Sequence, residues 1–348
     1  MAATVAVSAA DPIALGARRE LFVDRLLVAE LKGATLKLHP AQLMPPVSPP
    51  RPNGHYATVL RAEDKFQFYY RGDLDPKVTW KTHGIERYHD GEVTLYAESA
   101  DAIHWKLPQL GRYDLAPFPG GNVVLAHEFA VIHWTPFVEM EANLPQEHLY
   151  TACTQPYFRA PHLYVALPNR FMGNRGSATD ILFMTTRGGD RYDREFTQSF
   201  IRPGVGKGGW ANRANYAAMG IPQTGEAEMS LFLTGGRRYT LRLDGFASVN
   251  APLTGGELIT QPFTFTGAKL EINYSTSAAG QIRVELQDAD GRPLPGFALE
   301  DCEPIWGDHI ARFVKWKSGE DVSAQAGKPV RLRFVLEDAD LYALKFSP

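Results

Sequence analysis

The constraint that matters most in this chain is the form of its apolar residues: short runs of aromatic and β-branched side chains, cut by turn formers, with no sustained helical period. Residues 56–60, 66–70, 92–97, 123–126, 162–166, 181–185, 229–233 and 239–243 are such runs, each bounded by Gly, Pro, Asp or Asn. Runs of this length cross a sheet once, and the residues between them supply the turns. The 31 glycines and 25 prolines are spaced as sheet connections require, and residues 45–52 read as an extended loop. The chain is therefore expected to be all-β.

Two segments echo each other. Tyr96-Ala-Glu-Ser-Ala-Asp-Ala-Ile-His-Trp105 and Phe183-Met-Thr-Thr-Arg-Gly-Gly-Asp-Arg-Tyr192 each run from a strand through a polar turn to an aromatic residue. Ser99 and Thr186 are 87 positions apart, about twice the 40–50 residues of a propeller blade. The two segments then read as equivalent corners of blades separated by one other, or as two unrelated hairpins. After Asn250 the texture changes to clean alternation at 269–274, 281–287 and 330–336, with Asp290-Gly291 as a turn, the pattern of a compact antiparallel sandwich. The expected division is a flexible N-terminus over 1–11, a propeller-like domain over 12–250 and a β-sandwich over 251–348.

Charge removes one class of partner. The 36 Lys and Arg against 39 Asp and Glu are scattered, so no electrostatic case for nucleic acid arises. No apolar run approaches the roughly 20 residues of a membrane span. The start, residues 1–10, is small and apolar without a basic region, which fits a native cytosolic terminus or a trimmed secreted chain and leaves the compartment open. Cys153 and Cys302 stand apart from any metal-ligand spacing and read as free thiols. The Gly-rich segment 209–221 crowds Trp210, Asn212, Arg213, Asn215 and Tyr216 together. A flat aromatic face beside amide and guanidinium donors suits a sugar ring, while the plain alternative is a loop whose aromatics plug a core edge.

Motifs along the chain carry a resemblance. Leu21-Phe-Val-Asp24, Tyr69-Tyr-Arg-Gly72, Tyr96-Ala-Glu-Ser99 with Ile103-His-Trp105, Thr135-Pro-Phe137, Glu147-His-Leu-Tyr-Thr151, Arg159-Ala-Pro-His162, Phe200-Ile-Arg-Pro-Gly204, Asn212-Arg213 with Asn215-Tyr216, and Arg238-Tyr-Thr-Leu-Arg-Leu-Asp-Gly245 are its carriers. Together they resemble a family of bacterial proteins classed with the five-bladed β-propeller glycoside hydrolases. The part from Gly255-Gly-Glu-Leu258 to Asp338-Ala-Asp-Leu-Tyr342 is similar to the β-sandwich that follows the propeller there. Such proteins usually carry about two blades between the Thr-Pro-Phe and Glu-His-Leu-Tyr-Thr motifs; here Phe137 and Glu147 are ten positions apart. The resemblance thus implies a reduced, incomplete β-propeller followed by an antiparallel β-sandwich, with closure by fewer blades or by pairing into a homo-oligomer.

It also implies hydrolysis of a glycosidic bond in an oligo- or polysaccharide by two carboxyl groups, one protonated and one ionised. Glu147, Asp180 and Asp24 are the catalytic candidates. Glu147 is the expected acid, its pKa raised by burial beside Tyr150; Asp24 is an expected ionised partner; Asp180 precedes an apolar run and either turns the strand end or points into a cleft. Each has a plain alternative as a turn or loop carboxylate. Arg71, His148, Arg159, His162, Arg202, Trp210, Arg213, Asn215 and Tyr216 are the candidate substrate contacts, the arginines serving either to clamp a sugar anion or to bind strands together through carbonyls. Glu98 and Asp101 read as structural turn carboxylates, and His133-Trp134 as core or sugar subsite. Glu139 replaces an aspartate common after Thr-Pro-Phe, which weakens any role there. No Gly-x-Ser-x-Gly elbow, phosphate loop or calcium loop is present, so neither metal nor cofactor is expected. The competing reading is a non-catalytic glycan-binding or structural protein that lost its catalytic blades.

Overall fold

The computed structural model describes residues 11–47, 57–73, 92–112, 121–126, 147–189 and 191–348. The 135–137 motif, His133-Trp134 and Glu139 lie outside them. Among the described residues regular structure is almost entirely strand, with helix confined to short 3-10 turns. The chain divides into two compact units, one of residues 1–39 with 244–348 and the other of residues 40–243.

The first unit is organised by two long antiparallel strands, Lys269–Asp288 and Val330–Ser347, paired from Lys269 opposite Ser347 to Asp288 opposite Val330. Residues 330–336 alternate between buried and half-buried, so Val330, Leu332, Phe334 and Leu336 face the core while Arg331 and Arg333 face outward. The register slips between Thr276 and Gln281. Gly280 sits in that slip, where a Cβ would lie 2.5 Å from the carbonyl oxygens of Glu337 and Asp338, so only glycine lets the backbones approach so closely.

N-terminal strands complete this unit. Ile13–Gly16 pairs in parallel with Phe263–Phe265, Val28–Lys32 antiparallel with Gly256–Thr260, and Thr35–Leu38 antiparallel with Ala247–Ala251. The core gathers Phe22, Phe263, Phe265, Phe334, Phe346 and Trp316 among aliphatic side chains. Residues 11–39 and 244–250 pair within this unit, because short N-terminal strands find their hydrogen-bond partners near the far end of the chain.

The second unit carries small antiparallel sheets. Four strands, Thr58–Ala62, Lys65–Asp73, Glu92–Ser99 and Val123–Ala126, form one meander. Three-stranded sheets are built from Glu147–Tyr150, Asn169–Met172 and Ala178–Ile181; from Gln155–Tyr157, Ala160–Ala166 and Met184–Thr186; and from Glu228–Leu233, Arg237–Arg242 and Gln42–Leu43. Phe68, Trp105 and Phe232 meet edge to face, with ring centroids 5.1–5.9 Å apart, at the centre of one core cluster.

The turn before Trp105 explains its placement. Asp101 accepts the N–H groups of Ile103 and His104, each at 2.8 Å, and the Ser99 hydroxyl at 3.0 Å, while Glu98 takes the Lys65 ammonium at 2.6 Å and the Tyr96 hydroxyl at 3.1 Å. Both carboxylates fix the hairpin corner.

Candidate functional site

The Glu147–Tyr150, Asn169–Met172, Ala178–Ile181 sheet collects most of the chemistry. Its registers are continuous: Leu149 opposes Arg170, which opposes Asp180, and His148 opposes Phe171, which opposes Thr179. Successive side chains point to opposite faces, so Glu147, Arg170 and Asp180 share one face, and His148, Tyr150, Phe171 and Thr179 share the other.

On the first face the charges interlock. Arg170 donates Nε to Asp180 Oδ1 at 2.8 Å and Nη2 to Oδ2 at 2.5 Å, and its Nη1 lies 3.7 Å from Glu147 Oε2. Arg194 donates through Nη1 and Nη2 to the two oxygens of Glu147 at 2.6 and 3.0 Å. The side chains of Glu147 and Arg194 are 0% and 1% exposed, those of Arg170 and Asp180 13% and 15%. Burial works against the Arg170 cation, but hydrogen bonds and attraction from Asp180 and Glu147 outweigh it and raise its pKa. Glu147 therefore faces two guanidinium groups, and Tyr150, its expected neighbour, lies on the opposite side of the sheet.

The second face is aromatic and cationic. The ring of Phe171 lies 5.5 Å from Tyr150 and 6.1 Å from His148, and the Arg213 guanidinium stands 5.7 Å from its centroid. His148 and Arg213 are exposed, while Tyr150 and Phe171 are half-buried. Arg213 holds a left-handed backbone, φ 53°, with its N–H on Ser177 O at 3.1 Å.

Asn215 anchors that loop. Buried, it donates Nδ2 to Thr179 O at 2.6 Å and to Gly209 O at 2.8 Å, and its N–H reaches Thr179 Oγ1 at 3.0 Å. Gly209 is packed so tightly that a Cβ would lie 1.9 Å from Pro203 O. Trp210 is 56% exposed, with its indole N–H spent on Gly204 O at 3.0 Å. The segment thus divides: Trp210 and Arg213 face solvent, while Asn215 and Tyr216 are buried supports, the latter with its N–H on Thr234 Oγ1 at 3.1 Å.

Other candidates stand elsewhere. Asp24 is buried in the first unit, its Oδ1 accepting the Leu26 N–H at 3.0 Å in a turn. Arg71 lies half-buried on Lys65–Asp73, opposite Thr94. Arg159 occupies the turn between Gln155–Tyr157 and Ala160–Ala166, His162 lies on the latter strand, and Arg202 is exposed in a loop.

Arg170, Arg194 and Phe171 are the functional candidates that sequence reasoning passed over, and Tyr150 enters there only as a neighbour of Glu147. Only the cross-strand register reveals Arg170 and Phe171; for Arg194 no local signal exists. Burial pushes the Cys153 and Cys302 thiols up to about 11, so neither is a ready nucleophile at neutral pH. Among the described residues no group of three His, Cys, Asp or Glu is placed to hold a metal ion, and no helix is long and apolar enough to cross a membrane.

No family model matches the chain, and no curated protein matches it. Solved structures with some likeness include glycosidases. A glycoside hydrolase family 43 arabinoxylan arabinofuranohydrolase from Bacillus subtilis, in complex with cellotetraose, shares 15% identity over 87% of this chain and 70% of that one, at a TM-score of 0.23. An exo-β-1,3-galactanase from Phanerochaete chrysosporium, with β-1,3-galactotriose, shares 8% over 87% of this chain and 99% of that one, at 0.18. A glycosyl hydrolase from Bacteroides ovatus shares 9% over 72% and 70%, at 0.15.

Proposed function

We propose that this chain is a carbohydrate-active protein of the glycoside-hydrolase type, with Glu147 and Asp180 as its carboxylate pair. In this reading the small sheets of the second unit are blades of a reduced propeller, and the first unit is the accompanying β-sandwich. One observation carries it: two carboxylates 33 positions apart in sequence converge on one face of a sheet through a shared guanidinium, Arg170. Glycoside hydrolysis needs one ionised and one protonated carboxyl group on either side of the bond. The bidentate contact with Arg170 suits Asp180 to the ionised role. The Arg194 guanidinium holds Glu147 in the same bidentate way, so the acid role proposed for Glu147 requires Arg194 to swing off its carboxylate when sugar enters.

A second reading, glycan binding without turnover, is favoured by a specific observation. The side chain of Glu147 is 0% exposed, and the residues best suited to hold a sugar, His148, Phe171 and Arg213, lie on the opposite face. There Phe171 and Tyr150 would offer ring faces to sugar C–H groups, and Arg213 a donor fork to hydroxyls.

One assay separates the two. The protein is presented with a panel of oligosaccharides, and both binding and release of reducing ends are measured. Hydrolysis is expected, falling by about 10²-fold or more in Glu147→Gln and in Asp180→Asn; turnover unchanged in both substitutions rejects the pair. Binding without release, weakened by Phe171→Ala or Arg213→Ala, establishes the second reading instead.

A further inference from the structure

Trp306 has a setting unlike the core tryptophans of this chain. Trp316 is fully buried, with its indole N–H donated to Val284 O at 2.9 Å, and Trp105 is buried among Phe68 and Phe232. Trp306 is 55% exposed, and its indole N–H has no acceptor among the described residues. Yet its backbone is held firmly. The Tyr274 hydroxyl donates to Trp306 O at 2.9 Å, and the same carbonyl accepts Arg312 Nη1 at 3.1 Å. The next residue, Gly307, donates its N–H to Thr276 Oγ1 at 3.0 Å and accepts the Thr276 N–H at 2.9 Å. Its φ of 111° belongs to glycine, and a Cβ there would crowd His309 Nε2 at 3.2 Å. A large apolar ring is thus kept in water on a rigid turn, where it adds little to the core.

Arg312 stands beside it. Its guanidinium lies 5.8 Å from the Trp306 ring centroid and is oriented by Nη1, which donates to the Tyr274 hydroxyl at 3.1 Å and to the Trp306 carbonyl. Both anchors are neutral. No carboxylate among the described residues pairs with this cation, whereas Arg333 in the same unit is matched to Glu257 at 2.7 and 3.0 Å. The patch therefore combines an exposed aromatic ring on a well-held backbone, a free indole donor and an unneutralised planar cation.

The geometry points to a subsite for a uronic-acid residue of an oligosaccharide, its pyranose C–H face on Trp306 and its carboxylate on Arg312. A planar ring takes up sugar C–H groups without directional cost, and a guanidinium pairs a carboxylate through parallel N–H bonds. Because the turn is already ordered, little further backbone entropy is lost on binding. Choosing a sugar over another carboxylate rests on the carbohydrate reading given above; the site itself belongs wholly to the first unit.

Calorimetry on the full chain tests it, with a galacturonic acid trimer, a neutral galactose trimer and a glutamate hexapeptide as probes. The acidic trimer is expected to bind about tenfold or more tighter than the neutral one, which corresponds to one decade in affinity. Trp306→Ala should weaken the acidic trimer at least about tenfold, and Arg312→Gln should bring it down to the neutral trimer's affinity. Melting curves confirm that both variants fold. Absence of acidic-trimer binding, affinity unchanged by both substitutions, or equal affinity for the hexapeptide overturns the proposal. Asp180→Asn should leave this affinity intact, so a missing hydrolase activity and a missing subsite are told apart; loss of trimer binding in Asp180→Asn would place the sugar elsewhere and overturn it as well.

Discussion

Asp340 shows how much a single side chain contributes in the first unit. Its Oδ1 accepts the Ser248 hydroxyl at 2.7 Å and Asn250 Nδ2 at 2.9 Å, with His39 Nε2 at 3.5 Å and Lys37 Nζ at 3.8 Å. Desolvation pushes the carboxyl pKa up, but hydrogen bonds from His39 and Ser248 and the nearby positive charges win and hold it at about 2, below the ordinary 3.8. A depressed carboxylate pKa gives stability that is complete above the unfolded value and is lost as pH falls from about 4 to about 2. Asp340→Asn should thus cost about 1–3 kcal/mol at neutral pH. It should also flatten the acid limb, as followed by urea midpoints from pH 7 to pH 2. An equally steep acid limb in the variant would show that other carboxylates set it. Sequence gave no hint of this residue, since Ser248, Asn250 and Asp340 are joined only by the pairing of Ala247–Ala251 with the C-terminal strand. Asp101 was legible as a turn carboxylate, because its partners lie within three positions of it in the chain.

At the level of elements, the sheet bearing Glu147 and Asp180 shows where strand reading fails. The run 181–185 looks like one strand, all of it apolar or β-branched. It splits instead: Ala178–Ile181 pairs with Asn169–Met172, and Met184–Thr186 pairs with Ala160–Ala166. Residues 181–186 are all buried, so no polar face marks the switch between sheets. The strand Asn169–Met172 is hard to read for a related reason, since Arg170 interrupts its apolar pattern and is held there by Asp180, Glu147 and the Thr197 carbonyl. Such pairs are costly to break because the surviving charge is stranded. Arg194→Met should destabilise the second unit by roughly 3–5 kcal/mol, and adding Glu147→Leu should restore much of that loss. Chemical unfolding of the two single variants and the double variant measures the coupling. A double variant as unstable as the sum of the single ones would mean that Arg194 acts through packing alone.

At the level of the whole molecule, the all-β class was legible and the pairing of distant strands was not. Alternation and turn residues point to sheets anywhere in the chain, but they do not say which strands pair across more than 200 positions. Residues 11–39 illustrate this: Val28–Lys32 and Thr35–Leu38 hydrogen-bond to Gly256–Thr260 and Ala247–Ala251, and Arg19 meets Glu271 at 2.5 Å and Asp244 at 3.4 Å. Asp244 is fully buried and also accepts Asn273 Nδ2 at 3.0 Å, so loss of Arg19 removes one of the groups that support its buried charge. A chain begun at residue 40 should therefore lose order in the first unit while the second keeps its sheets, because the two have separate cores. Hydrogen exchange should show fast amides throughout 247–260 and persistent protection at Glu228–Leu233 and Arg237–Arg242, whose partners lie within the second unit. Unchanged protection at 247–260 would mean that the N-terminal strands merely decorate a sheet that folds without them.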